Sequence, residues 1–326
     1  MRAPRFWRAD GRSWPAVLLT PFGEVTRALT GRRVARPGWR APVPVICCGN
    51  VTLGGSGKTT LALDLTSRLA RRGLRPHCLL RGFGGRVRGV RQVRPDDTVS
   101  EVGDEALLLA ALAPTWIGAD RAASARAAIS AGADALVMDD GLQNPTLQKT
   151  MTLLVVDGGF GFGNGRLLPA GPLREPLAAG VARCQAAVLI GADETCVWPV
   201  LASHLPVLRA ALEPLGTGLA GRRVFGFAGI GRPQKFFTSL VEAGATLVGR
   251  MAFPDHHRFT PHDLGRIERE ATRLDALAVT TAKDAVRLPA AFRARVGVLR
   301  VGLAWAREAE IETVLDAALS AASSGG

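Results

Sequence analysis

The chain has 326 residues, of which 47% are hydrophobic and 38 are glycine, so it is long enough for two ordinary globular domains. None of its five cysteines stands in a C-x-x-C pair, which argues against a disulfide framework and predicts reduced core residues in a cytosolic setting. The net charge of +13 leaves three classes of partner open: nucleic acid, an anionic membrane surface, or an anionic substrate.

The first forty residues form a basic arm in which nine arginines are mixed with tryptophan and phenylalanine. The apolar run at 17–19 is too short for a membrane span or for the core of a signal peptide. Aromatic residues among arginines are typical of a segment that lies on a membrane. A solvated basic arm has the same composition, so both interpretations stay open on these residues.

Apolar residues 43–48 predict the first strand, and leucines at helical spacing predict a helix over 58–71. Between them, residues 54–60 read GGSGKTT, the glycine-rich turn that cradles phosphates in nucleotide-binding proteins. Lys58 would reach the β- and γ-phosphates, and the Thr59 hydroxyl would ligate Mg²⁺. Thr52 stands where the strict pattern has glycine, so the alternative is an incidental glycine turn. Only four of the 41 basic residues are lysine, and one of them directly follows Gly57, which favours the nucleotide interpretation.

The chain then alternates strands with helices. Predicted strands cover 78–80, 116–117, 135–138, 153–157 and 187–190, and predicted helices cover 102–112 and 120–131. This alternation predicts an α/β fold of the P-loop kinase type, with a doubly wound parallel sheet that binds ligands at the carboxyl ends of its strands. A second, smaller α/β set begins near residue 208. Its predicted strands are 224–227, 246–248 and 276–279, and its predicted helices are 232–243, 261–273 and 306–321.

Asp139 and Asp140 follow a buried strand downstream of the phosphate loop. An acid in this place holds Mg²⁺ opposite the threonine of the loop in nucleotide-binding folds. Aspartates also favour turns, and a plain turn before Gly141 is the alternative. Adjacent carboxylates at a buried strand end repel each other unless a cation lies nearby, which favours the metal interpretation.

Two further segments carry groups suited to proton transfer. Asp104 begins a predicted helix, where an acid can be a simple cap or can accept a hydroxyl proton during phosphoryl transfer. His256 lies in a loop of the second set, and its spacing from neighbouring histidines suits no standard zinc site. Lys283 and Asp284 are adjacent with no asparagine before them, which argues against the guanine-reading motif of GTPases.

Together these segments resemble the tetraacyldisaccharide 4′-kinase family, the lipid A kinases, over about residues 40 to 290. The motifs that carry the resemblance are RAPVPV at 40–45, GNVT at 49–52, GGSGKT at 54–59, RGFGG at 81–85, GDEA at 103–106, DDGLQ at 139–143, LLPAGPLRE at 167–175, FPDH at 253–256 and TAKDAV at 281–286. The family has threonine at the position of Thr52, so the resemblance removes the objection to the phosphate loop.

The resemblance implies transfer of the γ-phosphate of ATP to the 4′-hydroxyl of a tetraacyl glucosamine disaccharide 1-phosphate. It implies Asp104 as catalytic base with His256 as its partner. Its implied nucleotide-binding residues are Thr52, Gly54, Gly55, Ser56, Gly57, Lys58, Thr59 and Thr60. Its implied substrate residues are Glu105, Arg121, Gln143 and Arg174, and its implied Mg²⁺ ligands are Thr59, Asp139, Asp140 and Glu175.

The resulting prediction divides the chain into a membrane-associating arm (1–40), a P-loop kinase domain (41–207) and a C-terminal lid or substrate domain (208–326). The expected location is the cytoplasmic face of the inner membrane, on an anionic lipid surface and without nucleic acid. Two alternatives stay open. One is a soluble P-loop kinase or ligase acting on a small molecule, and the other is a nucleic-acid-stimulated NTPase.

Overall fold

The computed structural model describes residues 4–8, 13–216 and 218–323. Residues 1–3 and 9–12 of the predicted N-terminal arm lie outside these ranges. The strands in the described ranges are β1 (Val45–Gly49), β2 (Pro76–Leu80), β3 (Arg91–Gln92), β4 (Thr115–Ile117), β5 (Ala135–Asp139), β6 (Met151–Asp157), β7 (Ala186–Ile190), β8 (Val207–Pro214), β9 (Arg223–Ala228), β10 (Thr246–Ala252), β11 (Leu277–Thr281), β12 (Gly297–Leu299) and β13 (Val301–Trp305).

The helices alternate with these strands, as the sequence predicts. They are α1 (Trp14–Val34), α2 (Lys58–Arg71), α3 (Val99–Val102), α4 (Asp104–Ala110), α5 (Arg121–Ser130), α6 (Leu177–Val181), α7 (Trp198–Ala202), α8 (Pro233–Glu242), α9 (Pro261–Arg273), α10 (Ala282–Ala285), α11 (Ala290–Arg293) and α12 (Glu308–Ser323).

The first sheet has nine strands in the order β13-β8-β7-β6-β1-β5-β2-β4-β3. All neighbours pair in parallel except at the two edges, where β3 and β13 run antiparallel to their partners. Strand β1 lies in the middle, and the chain moves outward from it in both directions, so the predicted doubly wound α/β fold is confirmed. The loops after β1 and β5 therefore leave the sheet side by side at its carboxyl edge.

Helices cover both faces of this sheet. Leu61, Leu65 and Leu69 of α2 and Leu315 of α12 belong to one buried cluster. Alanines of α5 pack with β1 and β5 in a second cluster on the opposite side. Apolar strands covered on both faces are expected for a parallel sheet, and they explain the near-continuous apolar runs in the sequence.

The second sheet is fully parallel in the order β10-β9-β11-β12. The predicted boundary at 207/208 does not follow the sheets, because β8 and β13 both pair within the first sheet. The chain thus leaves the first sheet after β8 and returns to it at β13. We call residues 218–299 the small unit, and residues 13–216 and 301–323 the large unit.

Helix α1 was not predicted, because the arm was interpreted only by its composition. Its buried residues are Ala16, Gly23 and Thr30, which recur every seven positions along one face. A Cβ at Gly23 would lie 3.1 Å from Leu167 Cβ, so α1 approaches the 164–174 segment closely. None of the helices in the described ranges combines the length and apolarity that a membrane crossing requires.

Candidate active site

The phosphate loop joins β1 to α2. Gly57 has a φ of 93°, and a Cβ there would lie 2.6 Å from Ile190 Cδ1, so only glycine fits this position. The next residue, Lys58, begins α2, and the helix N-terminus therefore opens at the loop. Thr60 lies half-buried on the same first turn.

Thr52 occupies an ordinary extended position and has no need of glycine. Its backbone forms an isolated bridge to Leu173, and the neighbouring N–H of Leu53 donates to Pro172 O at 2.8 Å. The entry to the loop is thereby fixed to the 167–175 motif. The Asn50 side chain ties the two ends of the loop together, because its Nδ2 donates to Ser56 Oγ at 3.0 Å.

Asp139 ends β5 directly beside the phosphate loop, and its backbone pairs in register with Cys48 of β1. The Thr59 hydroxyl donates to Asp139 Oδ2 at 2.8 Å, as the predicted metal pair requires. Asp139 Oδ1 is buried and accepts no hydrogen bond in the described part of the chain. Burial and the nearby Glu105 carboxylate raise the pKa of Asp139 to about 7. A buried, unpaired carboxylate oxygen beside a threonine hydroxyl fits Mg²⁺, so the residues present suit the predicted ion.

Asp140 turns the other way from Asp139, with a φ of 54°. Arg174 Nη1 donates to its two oxygens at 2.8 and 3.0 Å, and Lys58 Nζ lies 3.7 Å from Oδ1. Burial alone would raise the pKa of Asp140, but Lys58 and Arg174 outweigh it and hold the pKa below its ordinary value. Asp140 is therefore an ionised partner of two cations.

The predicted metal set does not assemble as a whole. Both Glu175 oxygens accept from Arg183 Nη2 at 2.7 Å, and Gln143 Nε2 donates to Glu175 Oε1 at 2.8 Å. No three carboxylate, imidazole or thiol groups converge on one metal position in the described ranges. Glu175 therefore forms a buried ion pair with Arg183 and orients Gln143. Asp139, Asp140 and Glu175 do not form a preformed metal site in the described ranges.

Asp104 lies on the large unit and is surrounded by basic side chains of the small unit. His256 Nδ1 lies 3.1 Å from Asp104 Oδ2, Arg287 Nη2 donates to the same oxygen, and Lys283 Nζ lies 3.8 Å from it. Burial raises the pKa of Asp104, but the His256 hydrogen bond and the charges of Lys283 and Arg287 outweigh it. The pKa of Asp104 is held well below its usual range.

The local backbone geometry positions Asp104 and Glu105, two acids that contact the small unit. Gly103, with a φ of 87°, precedes Asp104, and a Cβ on it would lie 2.4 Å from Phe83 O. Asp104 Oδ1 accepts from the Glu105 backbone N–H at 3.0 Å at the start of α4. Lys283 donates to the Glu105 carboxylate at 3.1 Å, which adds a second contact between the two units.

Arg121 is 2% exposed and begins α5. Its Nη1 donates to Gly118 O, while its Nε has no partner in the described ranges. Burial lowers its pKa to about 10, and the charges of Asp139 and Asp140 partly oppose that shift. A buried guanidinium with a free donor is suited to an anion, which agrees with the predicted substrate role.

Sequence reasoning missed four participants: Asn50, Arg183, Lys283 and Arg287. Asn50 and Lys283 lie in motifs that were quoted for the resemblance, and the other two are arginines in an arginine-rich chain. No local signal separates them from the other arginines. Arg287 and its partner Asp104 are 183 positions apart in the sequence, whereas Arg183 and Glu175 are 8 positions apart.

The family model described as tetraacyldisaccharide-1-P 4′-kinase matches residues 15–320. The tetraacyldisaccharide 4′-kinase of Gluconacetobacter diazotrophicus is 55% identical over 99% of this chain and 100% of that protein. The enzyme of Gluconobacter oxydans, with the same description, is 53% identical over 98% of this chain and 99% of its own length. Among solved structures, LpxK from Aquifex aeolicus in complex with ATP matches with a TM-score of 0.74 and 25% identity, covering 93% of this chain and 99% of that one.

Proposed function

Because this chain belongs to the tetraacyldisaccharide 4′-kinase family of lipid A biosynthesis, we propose that its own residues place ATP on the phosphate loop and the sugar 4′-hydroxyl at Asp104. The observation that carries the proposal is the contact between Asp104 and His256 across the two units, at 3.1 Å. It completes an acid–base pair at the same sheet edge from which the phosphate loop leaves. The acceptor is the 4′-hydroxyl of a tetraacyl glucosamine disaccharide 1-phosphate.

The phosphate loop binds the triphosphate of ATP through backbone N–H groups at the N-terminus of α2. The solved relative was crystallised with ATP, which supports the same nucleotide here. Lys58 lies beside Asp140 and is free to turn toward the γ-phosphate, where its charge stabilises the transferring group. Gly54, Gly55 and Gly57 leave room for the backbone to approach the phosphates.

Thr59 and Asp139 are the residues that would hold Mg²⁺, with Asp140 next to them. When bound, the ion supplies neutralisation of phosphate charge. Magnesium sites in kinases commonly use one or two carboxylates and the substrate phosphates, which agrees with two adjacent aspartates and no larger cage in the described ranges. Glu175 acts at a distance, by orienting Gln143.

Asp104 accepts the proton of the 4′-hydroxyl as the hydroxyl oxygen bonds to the γ-phosphorus and the bond to ADP breaks. A carboxylate of low pKa is a weak base, but it stays ionised at neutral pH. Phosphoryl transfer has a loose transition state, so orienting the hydroxyl contributes more than early proton removal. His256 and the small unit hold the carboxylate in one orientation and exclude water.

The remaining predicted residues line the acceptor side. Arg121 has an unpaired buried donor, and Arg174 holds Asp140 in place; both are suited to the phosphate and hydroxyl groups of a sugar. Gln143 and Glu105 complete this lining. The small unit, residues 218–299, acts as a lid that carries His256 to the site.

The acyl chains stay in a membrane, and α1 lies on its surface. The exposed apolar residues of α1 form one stripe along the helix, with most of them three or four positions apart: Trp14, Val17, Leu18, Phe22, Val25 and Leu29. Arginines follow in the last turn of the helix, where anionic headgroups would meet them. Because ATP is the donor, the surface is the cytoplasmic face of the inner membrane.

The test uses labelled ATP and a 1-phosphorylated lipid disaccharide in mixed micelles, with 4′-phosphate as the product measured. Replacing Asp104 with Asn should lower kcat by about 10²- to 10⁴-fold, since a positioned acceptor of the proton is lost. ATP affinity should stay within a few-fold, because Asp104 lies outside the phosphate loop.

Asp96→Asn, an exposed aspartate of a surface loop, is the matched control and should keep full turnover. Near-normal turnover of Asp104→Asn would show that Asp104 is not the base. Absence of 4′-phosphate from folded, ATP-bound protein would contradict the reaction itself.

A further inference from the structure

Arg287 lies in the turn after α10, and its side chain is 4% exposed. On the small unit, its Nη1 donates to Gly229 O at 2.8 Å and to Asp284 Oδ1 at 2.9 Å. On the large unit, its Nη2 donates to Asp104 Oδ2. The guanidinium is therefore a buried bridge with one side in each unit.

The small-unit side of this bridge is rigid. Asp284 is fully buried, and its Oδ2 accepts from the Gly229 N–H at 3.0 Å and from the Thr281 hydroxyl at 2.8 Å. Four hydrogen bonds within the small unit thus fix Asp284 and Arg287 without help from the large unit. The small unit therefore positions the Arg287 guanidinium independently of Asp104.

We propose that Arg287 is the positioning residue of the catalytic base: it orients the Asp104 carboxylate and does so only when the small unit is docked. The inference rests on the proposed role of Asp104. Oδ1 of Asp104 accepts from its own helix, and Oδ2 accepts from the small unit. Both oxygens are fixed only in the docked arrangement, so the base is assembled by the closure of the lid.

The basic side chains that face Asp104 contribute differently to the orientation of its carboxylate. Lys283 lies 3.8 Å away and donates to Glu105 at 3.1 Å, so it adds positive charge with little directional control. His256 Nδ1 shares Oδ2 with Arg287 and lies 3.3 Å from Arg287 Nη2. Only the planar fork of Arg287 reaches Asp284 and Asp104 at once, and an ammonium group has no such geometry.

The experiment compares Arg287→Gln, Arg287→Lys and the control Arg273→Gln, which removes an exposed arginine from a pair within α9. The readouts are kcat, KM for ATP, and the ¹³C NMR titration of the Asp104 carboxyl in substrate-free protein, assigned with Asp104→Asn. In Arg287→Gln, kcat should fall about 10²-fold, the cost of a base displaced by about 1 Å, with little change in KM for ATP. Its Asp104 resonance should titrate about one pH unit higher or more, because an adjacent cation that favours the ionised form is lost.

Arg287→Lys keeps the buried charge and folds even if the glutamine variant does not. The pKa of Asp104 in the lysine variant should lie close to the wild-type value. The kcat should still be about tenfold lower, because one ammonium group cannot bridge both aspartates. Full activity of the lysine variant would overturn the proposal, as would an Arg287→Gln protein with unchanged kcat and titration. Turnover retained by Asp104→Asn would instead contradict the proposed function, so the two failures are distinguishable.

Discussion

At the scale of single residues, Asp139 and its neighbour Asp140 have opposite environments. Asp139 is buried with one unpaired oxygen, and its pKa is raised to about 7 by burial and by Glu105. Asp140 is paired with Lys58 and Arg174, and its pKa is lowered. For Asp139, burial and the Glu105 charge outweigh the nearby Lys58 charge, so its ionised form destabilises the fold and the residue is expected to be retained for its chemistry.

Asp139→Asn should therefore stabilise the metal-free, nucleotide-free protein while reducing its activity. Its folded pKa of about 7 lies above the unfolded value of about 3.9, so wild-type stability should fall as pH rises between these values. The Asp139→Asn side chain does not ionise, so the stability of the variant does not fall in this way. We expect little difference near pH 4 and a gain of about 4 kcal/mol at pH 8, because each unit of the pKa difference is worth about 1.4 kcal/mol. Thermal unfolding in EDTA measures it, and 4′-kinase activity should drop about 10²-fold.

Asp140→Asn is the matched comparison. It removes the partner of Arg174 and Lys58, so it should lower the unfolding temperature under the same conditions. If both asparagine variants shift the unfolding temperature in the same direction, the opposite environments inferred for the two aspartates are wrong.

At the scale of elements, α1 shows how one helix serves two surfaces. Its small buried face packs on the 164–174 segment, where Thr26 Oγ1 donates to Leu168 O at 2.7 Å and Thr30 Oγ1 donates to Arg174 O at 3.1 Å. Its other face exposes large apolar side chains. An exposed apolar stripe of this kind marks an interaction surface, and it is the surface that the proposed membrane contact would use.

Replacing Leu18 and Phe22 together with serine should weaken binding to anionic phospholipid vesicles about tenfold or more, because both side chains are more than half exposed on the stripe. Co-sedimentation measures the change. The fold should be unaffected, since neither side chain faces the 164–174 segment.

Leu112 and Val200 are exposed apolar residues elsewhere on the large unit, and their double serine variant is the control. Equal losses in the two variants would indicate general adhesion and contradict a membrane role specific to α1. Unchanged binding of the α1 variant would contradict it as well.

At the scale of the whole molecule, the described residues of the two units meet at two separate ionic contacts. One is the group around Asp104. The other is at the end of β6, where Asp157 Oδ2 accepts from Arg232 Nη1 at 2.9 Å and from Lys235 Nζ at 2.8 Å. The second contact lies outside the proposed chemistry, so it offers a way to alter docking of the small unit alone.

Asp157→Asn should weaken docking by about 1 kcal/mol, or about fivefold in the docked population, because two partly exposed ion pairs are lost. Hydrogen exchange should then speed up in the 253–257 loop and at the start of α4, which both become exposed on opening. Glu270→Gln, which breaks a pair within the small unit, is the control. Exchange that increases only beside residue 157 would contradict a rigid docking of the whole unit.

Much of the fold was predicted correctly, because its signals are local. Leucine spacing gave α2 its observed bounds, and α9 was predicted over the residues it occupies. Strands β8 and β13, where the chain leaves the first sheet and returns to it, were missed. Their only support is pairing with each other and with β7 in the assembled sheet, and no local pattern records that pairing.

By itself, the sequence determined the phosphate loop, the Asp139–Asp140 pair, the alternation of strands and helices, and the order of motifs that identifies the kinase family. These depend on residues close together in the chain. Only the tertiary structure decided that Glu175 pairs with Arg183, that α1 presents an apolar stripe, and that Arg287 reaches Asp104. Arg287 and Asp104 are 183 positions apart, and they meet only after the sheet edge and the small unit have brought their segments together. The Glu175–Arg183 pair and the α1 stripe are local in the chain, but which side chains pair and which face stays exposed depends on how the folded chain packs.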